Sequence, residues 1–106
     1  METTTFNIAV ATEVENAVIE VYNCKLNDIH QFIDSEVKKV VVFILFHHFG
    51  YHKRLIGINY KITHWYVPTA SDEIKLMYEH DAIVKGKIDL VLSKISSYEK
   101  KKSLAA

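Results

Sequence analysis

A chain of 106 residues that is 49% hydrophobic and 25% charged carries enough apolar side chain for one modest core, and it reads as a single globular domain over 1–106. Its 13 basic residues balance 13 acidic ones, so no whole-molecule field draws it to nucleic acid or membrane, and such a partner needs a local patch. Three glycines and one proline argue against long structureless loops, and the single Cys24 excludes an internal disulfide.

A neutral surface repels its own copies weakly, which leaves self-association, as a dimer, the expectation. METTTFNIAV lacks the charged start and long apolar run of a secretory signal, pointing to an intracellular, cytoplasmic protein. The longest apolar run, VVVFILF from Val40 to Phe46, covers seven residues. A bilayer crossing takes roughly 20, so no membrane partner is expected.

In chain order, Phe6, Ile8 and Val10 alternate with Asn7, Ala9 and Ala11, the pattern of a half-buried strand over 6–11. Residues 13–22 stay ambiguous. Thr12-Glu13-Val14-Glu15 can act as a capping box that opens a helix with Val14, Ala17, Val18 and Val21 on one stripe. The same segment, AVIEVY, is β-branched enough for a second strand, which is slightly preferred as the partner of the first. From Leu26 the apolar spacing becomes three and four, through Ile29, Phe32, Ile33 and Val37. That predicts a helix capped by Asn27 or Asp28 and ended by Lys38-Lys39 at the negative end of its dipole.

Val40 to Phe49 is apolar without alternation until the histidines, as in a central strand covered on both faces. Ile56, Ile58, Tyr60 and Ile62 then alternate with Gly57, Asn59, Lys61 and Thr63 in a strand to about Val67. With Gly50-Tyr51 as a two-residue turn, the two strands form a long antiparallel hairpin over about 40–67, pairing Val41 with Tyr60, Phe43 with Ile58 and Leu45 with Ile56. Pro68-Thr69 closes it, and Thr69 or Ser71 ahead of Asp72 and Glu73 starts a helix through Ile74, Met77 and Tyr78. Val84, Ile88, Val91 and Ile95 keep the helical spacing beyond a break at Asp81. Helix is preferred there, with a last strand near 88–95 as the alternative, and residues from about 97 read as a frayed tail.

The expected fold class is therefore α+β: an antiparallel sheet built on the 40–67 hairpin, joined by the strand at 6–11, with helices packed on one face. The last-strand option yields a ferredoxin-like βαββαβ order.

The octet HHFGYHKR, residues 47 to 54, forms the tip of that hairpin. In the proposed register His47, Phe49, His52 and Arg54 share one face, while His48 and Lys53 share the other. Rings for base stacking beside Lys53 and Arg54 for phosphates suit contact with nucleic acid or a protein partner, with Tyr51 at the turn and Trp65 facing outward. A tip that is polar only because it meets water is the plain alternative. In an enzyme, His47 and His52 would move protons and Arg54 would steady the phosphate of a metal-independent nuclease or phosphodiesterase.

No metal is expected, since His48 and His52 project from opposite faces of a hairpin and His64 lies far along the strand. His64 reads instead as a core or cleft histidine beside Ile62 and Tyr66. Asp34-Ser35-Glu36-Val37-Lys38 has the carboxylate-x-lysine spacing of metal-dependent nucleases, but a helix end accounts for it without function. Cys24 reads as a small buried apolar group. No cofactor is expected, because three scattered glycines make no phosphate-cradling loop. These residues point to a small binding or regulatory module, non-enzymatic, that uses a histidine, aromatic and basic tip. A purely structural interaction domain is the third reading.

Overall fold

The computed structural model describes residues 6–31 and 35–95, and among them there is no strand. The elements in chain order are α1 (Ile8–Tyr22), α2 (Leu26–His30), α3 (Glu36–Phe43), α4 (Lys53–Tyr60), α5 (Tyr66–His80) and α6 (Ala82–Lys94). A π-helical turn, Ile44–His48, prolongs α3. The α+β class, the 40–67 hairpin and the ferredoxin-like alternative are all overturned.

Each correction has a local cause. The expected first strand is the opening of α1, because Asn7 Oδ1 accepts from the amides of Ala9 at 2.9 Å and Val10 at 3.3 Å and so caps the helix five residues before Thr12. The stripe Val14, Ala17, Val18 is buried as the helical alternative for 13–22 requires. Asn23, with φ 54°, ends α1 in the left-handed region that asparagine tolerates.

The expected helix from Leu26 exists as α2, whose Asp28 carboxylate accepts from the Lys25 amide at 2.9 Å. Phe32, Ile33 and Asp34 lie outside the described residues, as does the tail from about 97. Lys38 and Lys39 do not end a helix; they lie in the first half of α3, which Ser35 caps by accepting from the Lys38 amide at 3.2 Å. The Ser35 hydroxyl also donates to the Asp28 carbonyl at 2.9 Å, joining α2 to the start of α3. Lys38 is buried and its ammonium donates to the Gln31 carbonyl.

Val40, Val41, Val42, Phe43, Ile44 and Leu45 are all buried, so the prediction of cover on every side holds for the residues but not for their backbone. A helix that is apolar all round belongs in the middle of a helical protein. α3 packs chiefly against α5, α1 against α6, and α5 against α6. In place of the second hairpin strand, Ile56 and Tyr60 are four residues apart on the inner face of α4, while Ile58 projects into solvent. Two side chains of an apparent period-2 pattern thus satisfy a period of 3.6.

Pro68 is the third residue of α5, where its missing N–H would have had no intrahelical acceptor. The expected break at Asp81 is real. Its amide donates to Met77 O at 2.8 Å, and its carboxylate accepts from the Ile83 amide at 2.9 Å and the Val84 amide at 3.3 Å, so one residue ends α5 and starts α6. The preferred helix over the last segment is α6, with Val84, Ile88 and Val91 buried and Ile95 behind them. No helix among the described residues is long and apolar enough to cross a membrane.

Candidate functional site

The octet forms the corner between α3 and α4, and its side chains part company there. The π-helical turn closes with the Phe49 amide on Ile44 O at 3.0 Å, and Gly50 turns the chain at φ +74°, a value that strains any residue with a Cβ. Phe49 and Tyr51, at 7% and 6% exposure, are core residues and leave the predicted contact surface. Tyr51 packs against Phe6, with ring centroids 5.2 Å apart.

His47 and His48 line a cleft of about 320 Å³ with Phe43, Lys75, Tyr78 and Glu79. The His47 ring stacks on Phe43 at 5.3 Å, and His48 meets Phe49 edge-on at 5.1 Å. This cleft contains neither His52 nor Arg54, so the proton-transfer pair imagined for a nuclease is divided between two places.

The second place is the start of α4. His52 is its N-cap: Nδ1 accepts from the Arg54 amide at 3.1 Å. Lys53 and Arg54 occupy the first turn, adding cations to the end of the helix dipole that already favours anions.

The chain then returns to this end. Lys61, at φ 60°, stops α4, and the following loop crosses back over the helix at Gly57. A Cβ on Gly57 would stand 2.6 Å from Ile62 O and 3.4 Å from the His64 nitrogen, so the crossing depends on glycine. It brings His64 and Trp65 beside the cations. The Lys53 ammonium lies 5.0 Å from the Trp65 ring centroid, and the His64 ring is 4.7 Å from the indole.

Trp65 is 72% exposed. His64 is half-exposed, not a core residue, and its pKa is held below the ordinary histidine value by desolvation first and then by the charges of Arg54, Lys53 and His52. Among the described residues no carboxylate pairs with Lys53 or Arg54. The result is an indole edged by cations that no carboxylate of the described residues pairs with, a surface suited to an anion that also carries a flat face.

A further polar cluster was missed by sequence reasoning. Glu15 of α1, 9% exposed, accepts from the Tyr60 hydroxyl of α4 and meets His30 Nε2 of α2 at 3.0 Å. The His30 ring stacks on Tyr60 at 5.0 Å. These residues are 15 and 45 positions from Glu15, and only the packing of three helices joins them. The phenol of Tyr60 is pushed far above its usual range by burial, then by the hydrogen bond to Glu15 and its charge. Cys24 is half-buried, and its thiol is raised by desolvation and by Asp28. Comparison of the chain with known protein families, with curated proteins and with solved structures finds no match.

Proposed function

We propose that the protein is a small intracellular binding module, non-enzymatic, whose surface at the start of α4 takes single-stranded nucleic acid. Trp65 would stack on a base, while Lys53 and Arg54 would meet phosphate oxygens. The observation that carries this reading is the convergence, through the Gly57 crossing, of an exposed indole with cations that have no acidic partner among the described residues. His47, His48, Phe49 and Tyr51 drop out of the contact surface, and His52, Lys53, Arg54 and Trp65 remain, with His64 added.

Trp65 is the only tryptophan, so its fluorescence reports from the site itself. Titration with short single-stranded RNA and DNA at low salt is expected to quench it, with affinity falling as salt rises. Stacking on one aromatic residue contributes about 1–3 kcal/mol, so Trp65→Ala is expected to weaken binding roughly tenfold or more in a gel-shift assay. Lys53→Ala with Arg54→Ala should make the salt dependence shallower by a little over one in the logarithmic slope, on the order of 0.7 for each phosphate that no longer meets a cation. If neither quenching nor a shifted band occurs at low salt, the proposal fails. If polyglutamate binds as tightly and Trp65→Ala leaves its affinity unchanged, the partner is an acidic protein and the nucleic-acid assignment is wrong.

A further inference from the structure

Glu15 sits at the floor of a groove of about 210 Å³ between α1, α2 and α4. Ile8, Ala11, Thr12 and Glu15 recur at three and four residues, so this stripe of α1 forms one wall of the groove, with Ala11 and Glu15 also packed against the interior. Phe6, His30, Asn59 and Tyr60 supply the other walls. Among the described residues that line it there is no lysine or arginine, and Glu15 supplies the one carboxylate.

Burying a carboxylate is costly, and an apolar side chain of similar volume often serves stability as well or better. Tyr60 and His30 offset part of that cost by donating to the same oxygen, Oε2. Neither hydrogen bond uses the other oxygen of a side chain that lines the groove. At the groove's rim Ile8 is 68% exposed, an apolar surface beside the carboxylate.

We infer that this groove binds a small organic cation of the alkylammonium class, its charged head on Glu15 and its hydrocarbon body along Ile8, Ala11 and Phe6. The shape and the chemistry agree. A head group that reaches Oε1 completes the carboxylate's hydrogen bonding, and a charged donor does so more strongly than a neutral one. Tyr60 and His30 act as positioning residues that hold the carboxylate toward the opening. The site is separate from the Lys53–Trp65 surface, and either proposal can fail without the other.

The test is NMR titration of the folded chain with n-butylammonium chloride, and with 1-butanol as the uncharged control. Saturable shifts of the Thr12 and Asn59 amides are expected with the amine, and at least tenfold weaker shifts with the alcohol. Glu15→Gln keeps an acceptor for Tyr60 and removes the charge, so it should weaken amine binding tenfold or more. Should that variant fail to fold, Thr12→Lys, at an exposed position on the rim, places a tethered ammonium in the groove and should abolish binding without disturbing the core. Equal response to butanol, no saturable shift at Thr12 and Asn59, or undiminished amine affinity in Thr12→Lys would each overturn the inference.

Discussion

Gly57 governs the proposed site without touching a ligand. Alanine there would add up to about 1 kcal/mol of helix propensity, which taken alone predicts a more stable protein. The new methyl group, however, would meet the Ile62 carbonyl oxygen at 2.6 Å, and a backbone oxygen cannot swing aside as a side-chain end can. Overpacking of this kind costs about 1–3 kcal/mol, so the clash wins. Gly57→Ala is expected to lower stability by about 1 kcal/mol in urea unfolding and to shift Trp65 emission as the loop lifts from the start of α4. A raised midpoint with unchanged emission would show that the crossing does not depend on glycine. Nothing in the linear pattern marks Gly57 for this role, since a glycine within an alternating segment reads equally as a weak strand position. Lys53, Arg54 and Trp65 were legible as candidates because their chemistry travels with the residue, whereas their meeting required the loop to fold back.

Among the elements, Asp81 is the clearest case of local sequence dictating structure. Its carboxylate satisfies two amides that no turn of α6 can reach, and removing such a cap typically costs about 1 kcal/mol. Asp81→Ala is expected to lose about that much in chemical denaturation, and Asp81→Asn, which retains the acceptor, only a fraction of it. Equal losses in the two variants would assign the effect to charge and not to the hydrogen bonds. The sequence pattern marked Asp81 only as a break in the apolar spacing, and the caps at Asn7 and Ser35 were passed over because an alternating or apolar pattern carried more weight. The π-helical turn after α3 had no such signal. It arises where buried Ile44 and Leu45 hand over to a corner that places Phe49 and Tyr51 inside, and the Tyr51 amide reaches back to Leu45 O at 3.0 Å to hold it.

At the scale of the whole molecule, two buried phenols tie stability to alkaline pH. Tyr60 stays protonated far above the ordinary 10.0 because of burial and the neighbouring Glu15 carboxylate, and Tyr22 is pushed up to about 12 by burial and then by the charge of Glu36. The unfolded chain releases these protons near pH 10 while the folded chain keeps them, so above that pH ionisation favours unfolding. The contribution is whole below pH 10 and lost as pH rises through the folded-state values. Denaturation midpoints measured from pH 8 to pH 12 should therefore fall above pH 10, and Tyr60→Phe should fall less steeply from a lower start. A flat alkaline limb in the parent chain would contradict the buried positions of these hydroxyls.

By itself the sequence determined the balance of charge that confines any anionic partner to a local patch, marked the break at Asp81, and favoured the helix that follows it over a last strand. Only tertiary structure decided that 8–22, 40–48 and 53–60 are helical. A continuous run such as VVVFILF has no period to read, and Ile56 with Tyr60 fits a spacing of two as well as four. Such segments take whichever backbone lets their neighbours bury them, and here the described neighbours of α3 are helices. The same long-range packing, absent from any local pattern, assembled Glu15 with His30 and Tyr60 and carried Trp65 to Lys53.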